Sequence, residues 1–174
     1  MAGGGHLDGQ SAFWGDLIGP NPTDRAKPGT KKRLVVDADG GPLGAVVAGA
    51  NVHDTKLLAA TLDAIVVPRP PPTPAAPQHL CLDKAYDNPT GHRTVAGHDY
   101  VPHIRRIGEE RWGPEHPRQY PARRWVVERT LAWLSKCRAI LVRYDKHGCN
   151  YLGLIQLASA LLWYRRSHRL RVLG

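Results

Sequence analysis

Cysteine is scarce, long apolar runs are missing and acids are outnumbered, and each shortage removes a class of protein. The three cysteines, Cys81, Cys137 and Cys149, form no Cys-x-x-Cys pair, and their odd number argues against a disulfide framework. A reducing, cytoplasmic setting fits that usage. His147 and Cys149 lie close together, but two ligands fall short of the four a structural zinc site takes. The most apolar stretch, Leu152 to Tyr164, carries no charge yet is shorter than the roughly 20 residues that cross a bilayer. It reads as a buried helix. Met1-Ala-Gly-Gly-Gly has neither the basic start nor the apolar core of a secretory signal.

Positive charge is abundant instead. Over 174 residues, 24 Lys and Arg face 15 Asp and Glu, a formal net charge of +9. That length suits one compact domain with a substantial core. Before Arg25 there are Asp8, Asp16 and Asp24 and no Lys or Arg, so the excess lies downstream. It concentrates at Arg105–Arg106, Arg123–Arg124, Arg129, Lys136, Arg138, Arg143 and the tail Arg165, Arg166, Arg169 and Arg171. Such an excess points to a polyanion, either nucleic acid or an anionic membrane surface.

Residues 1–31 are punctuated by Gly and Pro and weakly patterned, with Gly19-Pro-Asn-Pro22 and Lys27-Pro-Gly29 as turn chemistry. From Lys32, the runs Arg33–Asp37 and Pro42–Ala48 flank Asp39-Gly40 and predict a β-hairpin. Asp54 is the expected N-cap of a helix that turns Leu57, Leu58, Leu62 and Ile65 inward, with His53 as a local hydrogen-bonding neighbour. Pro68 to Pro77 is a stiff spacer. His79–Asp83 is a short apolar strand ending on a carboxylate, Asn88-Pro89 opens a second helix to about Gly97, and Tyr100–Ile104 is another strand. Arg105 to Arg118 is polar and loop-like. The order of hairpin, helix, strand, helix, strand, long helix and helix gives an α/β domain with a mixed sheet.

The long helix spans Tyr120 to Arg138. Val127, Leu131, Leu134 and Leu141 recur at helical spacing, with Val126, Trp133, Cys137 and Ile140 beside them. Glu128 stands one step off that stripe. Taken alone it pairs with Arg124 at i, i+4, in the poorer orientation, worth only about 0.2–0.5 kcal/mol. Asp83 supplies a better partner. Functional groups gather at the carboxyl ends of strands, and Asp87, ahead of Asn88-Pro89, is the better helix cap, which leaves Asp83 without a structural task. Two carboxylates can share a hard divalent cation. A third completes a two-metal site, with ions about 3.5–4 Å apart, for displacement at a phosphodiester. That reaction class accounts for acids and basic charge together.

Four fragments in order carry a family resemblance: Gly19–Gly29, the hairpin with Ala50-Asn-Val-His-Asp54, Leu82-Asp-Lys-Ala-Tyr-Asp87, and Arg124–Leu134. Together they resemble bacterial insertion-sequence transposases of the DDE type, in the IS-four/IS-five-like group, from about Gly19 to Arg166. The resemblance implies an RNase H-like mixed sheet flanked by helices, here with an incomplete first strand. It implies an irregular segment over residues 1–31, a catalytic domain over 32–166 and a basic tail over 167–174. Asp83 is then the second acid and Glu128 the third. For the first, Asp8-Gly9 matches by type and Asp37 is the fallback beside the hairpin turn. Tyr120 and Arg124 resemble the Tyr and Arg of the family's Tyr-Arg-Glu-Lys signature, which help hold transposon-end DNA, with Arg123 alongside. Tyr120 lies one residue too far from Arg124. Ser135 occupies the signature's Lys position, while Lys136 would point about 100° away on a continuous helix, so Lys136 or Arg138 substitutes in part.

The family implies two Mg²⁺ or Mn²⁺ ions held by Asp8, Asp83 and Glu128, and double-stranded DNA as partner, both transposon ends and target. It also implies a homo-oligomer on DNA or a complex with an upstream-frame product, and no membrane. Water cleaves at the transposon end and the freed 3′-hydroxyl attacks target DNA, with no covalent protein–DNA link. The family's helical DNA-binding region does not precede these residues, so the chain reads as a downstream reading frame or a decayed remnant. Trp125 and Trp133 are candidates for stacking on a base; helix spacing assigns Trp133 to the core and leaves Trp125 open. Two rivals stand beside this reading. His103-Ile-Arg-Arg106 with Tyr144 has the spacing of tyrosine recombinases but leaves the carboxylates unexplained. A truncated chain that only binds DNA or the full-length transposase is the other.

Overall fold

The computed structural model describes residues 2–10, 15–104 and 124–172, and the side chains at 2–10, 124 and 169–172 fall outside that description. The hairpin is present as β3 (Pro28–Val36) and β4 (Pro42–Gly49), paired antiparallel from Thr30↔Gly49 to Val35↔Gly44. Asp37 closes its turn. Its Oδ1 accepts from the amides of Asp39 at 2.9 Å and Gly41 at 2.6 Å, while Gly40 takes φ +87°, a value glycine adopts without steric cost.

Strand β1 (Ala2–Gln10) pairs antiparallel with β3, from Gly3↔Val36 to Gln10↔Gly29. On its other edge it runs parallel to β5 (His79–Leu82), which is itself parallel to β6 (Val101–Ile104). Among the described residues the sheet has six strands in the order β2-β3-β1-β5-β6, with β2 (Gly19–Pro20) at the start of β3 and β4 also on β3. The first strand, expected to be incomplete, is therefore nine residues long and central. Gly3-Gly-Gly5 and the lack of β-branched residues hide it from a local reading. Its conformation comes from hydrogen-bonding edges on both sides.

Alternation along β3 sorts the two cores. Leu34 and Val36 face a cluster of Val126, Val127, Leu131, Leu134, Ile140, Tyr151 and Ile155, whereas Val35 faces Leu58, Leu62, Leu80, Leu82, Tyr86 and Val95. Helices α3 (Arg124–Leu134), α4 (Arg138–Leu141) and α5 (Gly148–Val172) thus cover one face. Helices α1 (Asp54–Asp63) and α2 (Pro89–Gly97) cover the other. The polar half of β3 is buried as well, with Lys31, Lys32 and Arg33 at 7%, 3% and 1% exposure. Lys32 Nζ donates to the Ile140 carbonyl at 3.0 Å on the α4 side, while Lys31 and Arg33 reach Asp54 Oδ1 at 2.8 and 3.2 Å.

Three local expectations change. His53, not Asp54, caps α1, its Nδ1 accepting from the Thr55 amide at 3.3 Å; Asp54 is drawn inward as counter-ion to two buried cations. The long helix stops at Leu134. The Ser135 hydroxyl donates back to the Leu131 carbonyl, Cys137 is extended at φ −78° and ψ 111°, and Leu141 on α4 is 52% exposed instead of continuing the stripe. Helix α5 buries Tyr151, Ile155 and Ala158 but exposes Leu157, Leu161 and Tyr164, because one sheet face covers only one stripe of a helix. No helix among the described residues is long and apolar enough to cross a membrane.

Candidate active site

Strand β5 ends where its inward Leu80 and Leu82 run out, and the chain leaves the sheet at Asp83. Asp83 stays extended, at φ −69° and ψ 157°, and its Oδ1 accepts from the Lys84 amide at 2.7 Å. It thereby caps the 3₁₀ turn Lys84–Tyr86, a structural task the sequence had not assigned to it. The cap expected from Asp87 comes instead from Asn88, whose Oδ1 accepts from the Gly91 amide at 2.9 Å. Asp87 lies 3.1 Å from His92 Nε2. Asp83 itself is half-buried.

Glu128 is exposed one turn into α3, and the helix beneath it is locked to the sheet. Val126, Val127 and Leu131 enter the core. Thr130 Oγ1 donates to the Gly40 carbonyl at 2.7 Å, and Arg129 Nη2 to the Asp39 carbonyl at 2.6 Å. The hairpin turn therefore fixes the height and rotation of the helix. Trp133 packs partly buried against that core, as its spacing predicts.

The structure brings the three acid-bearing elements together. Strands β1 and β5 are hydrogen-bonded neighbours, and α3 packs against β1 and β3. Asp8 stands opposite Lys31 in β1. Since Gly3 pairs with Cys81, Asp8 lies three residues beyond the level of Asp83, ~10 Å along the strand. Asp37, the fallback, is committed elsewhere. Its Oδ1 holds the turn and its Oδ2 lies 3.5 Å from Arg166 Nη1.

Tyr120 and Arg123, with the stretch Arg105–Arg118, lie outside the described residues, as does the side chain of Arg124. Lys136 and Arg138 are exposed, but the break after Leu134 removes them from the helix of Glu128. An angular offset along a continuous helix therefore does not apply to them. The recombinase-like His103 instead meets His79 on the neighbouring strand, Nε2 to Nδ1 at 2.5 Å, and burial together with the His79 charge lowers its pKa. Tyr144 is exposed. Tyr86, three residues after Asp83, is pushed up to about 12 by burial, with the nearby Arg33 guanidinium pulling back less. It keeps its proton at neutral pH.

Sequence reasoning missed that part of the basic excess is internal. Lys31, Lys32, Arg33 and Arg143 are all buried, so the charge presented to a polyanion is smaller than +9 suggests. For Lys31, Lys32 and Arg33 the available signal was their continuity with the apolar run Leu34–Val36 in one strand. Among the described residues no group of three or more His, Cys, Asp and Glu side chains is placed to hold a metal ion. Asp83 and Glu128 are nevertheless hard oxygen donors of the class that Mg²⁺ and Mn²⁺ take; the side chain of Asp8, the expected first acid, is outside the description.

A family model described as "Transposase DDE domain" matches residues 4–163. A Burkholderia cepacia protein named "Putative transposase for insertion sequence element IS402" is 34% identical over 167 residues, covering 91% of this chain and 74% of that protein. The matched range takes in Asp8, Asp83 and Glu128.

Proposed function

This chain belongs to the family of transposase DDE domains, and on that premise we propose that it catalyses metal-dependent DNA strand cleavage and strand transfer at insertion-sequence ends. One observation carries the reading: β1, which holds position 8, pairs with β5, which ends just before Asp83, and packs against α3, which holds Glu128. The sheet supports it too. A central strand with an antiparallel hairpin on one edge and two parallel strands on the other is consistent with an RNase H-like fold.

In this reading Asp83 and Glu128, with Asp8 as the third acid, would hold two divalent ions. When bound, the ions supply Lewis-acid charge to the attacking and leaving oxygens of an in-line displacement. The Lys84 amide sets the rotation of the Asp83 carboxylate. The Thr130–Gly40 and Arg129–Asp39 bonds hold the helix that presents Glu128. Lys136 and Arg138, with Tyr120, Arg123 and Arg124, bind the DNA backbone, so affinity falls steeply with salt. Water attacks first, breaking a P–O3′ bond and releasing a 3′-hydroxyl at the transposon end, and that hydroxyl then attacks a target phosphodiester, displacing the target strand's own 3′-hydroxyl.

The test is Mg²⁺-dependent cleavage and strand transfer on oligonucleotides carrying the element's own ends. Glu128→Gln and Asp83→Asn should reduce both to background while leaving DNA binding intact. Asp8→Asn decides whether that residue is the third acid. Binding without cleavage in the unaltered protein would replace this reading with that of a passive DNA-binding chain.

A further inference from the structure

The Asp83 carboxylate is only as well placed as the turn it caps. That turn, Lys84–Tyr86, is three residues long, too short to hold its own geometry, so the geometry is imposed by what packs on it. On the core side, the Tyr86 ring is buried in the cluster that holds Leu80, Leu82 and Val95. The buried Arg33 guanidinium lies over the ring, 5.2 Å from its centroid, and is itself held by Asp54 at 3.2 Å. On the other side, helix α2 seats directly on the turn. The Tyr86 carbonyl accepts from the Asn88 amide at 2.8 Å, and the Ala85 carbonyl accepts from Asn88 Nδ2 at 3.1 Å. A Cβ on Gly91, in the first turn of α2, would run into the Tyr86 carbonyl oxygen, so glycine permits a backbone approach that no other residue could make. The Tyr86 amide completes the link by donating to the Asp83 carbonyl at 3.0 Å.

We propose that Tyr86 is a positioning residue that fixes the Asp83 carboxylate for a hard divalent cation, and that Gly91 sets how closely α2 presses on the same turn. This rests on the function proposed above and adds to it the residues that hold one acid still. A carboxylate keeps an ion best when the groups behind it prevent its rotation, and losing such a group typically costs about 10–100-fold in metal affinity. The ring of Tyr86 carries the role, because both the core packing and the Arg33 contact are made by the ring. Phenylalanine therefore suffices. Leucine fills much of the space but offers no π-face to the guanidinium. At Gly91 the perturbation comes from the opposite side: an added methyl pushes the Tyr86 carbonyl, and the turn moves with it.

The experiment titrates Mn²⁺ into the full chain and counts the free ion by electron paramagnetic resonance. Tyr86→Leu and Gly91→Ala should each weaken Mn²⁺ binding roughly tenfold, while Tyr86→Phe should bind as the unaltered protein does. Gly91→Ala opens no cavity, so it keeps the test decisive if Tyr86→Leu does not fold. Leu62→Ala, a cavity in the same core but on α1, should melt earlier and keep its Mn²⁺ affinity. Duplex DNA affinity without metal should be the same in all of these proteins. Two results overturn the positioning role and leave the acid site standing, provided that Asp83→Asn lowers Mn²⁺ affinity: unchanged binding in Tyr86→Leu and Gly91→Ala, or an equal loss in Leu62→Ala. Mn²⁺ binding that Asp83→Asn does not alter overturns both the positioning role and the acid site.

Discussion

Arg143 ties together stretches of the chain that lie far apart in sequence. It is fully buried at 0% exposure, yet it is a cation. Its Nε donates to the Asp145 carbonyl at 2.8 Å, Nη1 to Thr30 Oγ1 at 2.8 Å and the Leu17 carbonyl at 3.3 Å, and Nη2 to Asp16 Oδ1 at 3.0 Å and the Lys146 carbonyl at 2.9 Å. The guanidinium also lies over the Tyr151 ring, 5.6 Å from its centroid. One side chain therefore joins the segment before β2, the start of β3 and the loop between α4 and α5. Arg143→Ala strips donors from three carbonyls and leaves a polar cavity. A side chain torn from a buried charged network typically costs about 3–5 kcal/mol, against a total stability of about 5–15 kcal/mol. The Asp16 pair is a minor share, since its carboxylate is 55% exposed and screened by solvent. Equilibrium urea unfolding should show Arg143→Ala losing about 3–5 kcal/mol and Arg143→Lys also losing heavily, because a point charge cannot reach what a planar fork reaches. Asp16→Asn, which keeps an acceptor oxygen, should lose about 1 kcal/mol or less. The reasoning fails if Arg143→Ala stays within about 1 kcal/mol of the unaltered protein, or if Asp16→Asn is as damaging.

Two further outcomes follow from the fold. Burial raises the pKa of Tyr86 to about 12 and that of Tyr151 as well, so above about pH 10 the unfolded chain loses those protons while the folded one keeps them. Stability should be unaffected below that pH and fall as pH rises toward 12, by about 1.4 kcal/mol per unit for each tyrosine. Tyr86→Phe should flatten part of the fall in urea titrations. At pH 7 it should cost little, because among the described residues the Tyr86 hydroxyl makes no hydrogen bond of good geometry, the Arg33 guanidinium lying over its ring instead. Gly40→Ala should lower the melting temperature and loosen α3, with a cost of about 1–3 kcal/mol. At φ +87° a Cβ there would also meet Thr130 Oγ1 at 2.9 Å. An unchanged melting curve would mean that the turn does not hold the helix.

Much of the architecture was legible locally. The hairpin announced itself through Asp39-Gly40 between β-branched runs, and α2 through Asn88-Pro89. The inner stripe of α3 followed from Val127, Leu131 and Leu134. Reading failed where a local signal was weaker than a distant partner. Strand β1 has poor strand propensity but two edges to pair with. Asp54 would cap α1 if Lys31 and Arg33 did not claim it. The break at Ser135–Cys137 carries no Gly or Pro to mark it.

The sequence by itself determined the chemical inventory: the acids, the basic excess, the periodic faces, and four ordered fragments that resemble DDE transposases. These are properties of neighbours a few residues apart, governed by backbone preference and side-chain spacing. Only the tertiary structure decided which strand occupies the centre of the sheet, which cations are internal, and that β1 lies against both β5 and α3. Those outcomes depend on hydrogen-bonding edges and buried charges finding partners many residues away. Such pairings leave no periodic mark on the stretches that make them.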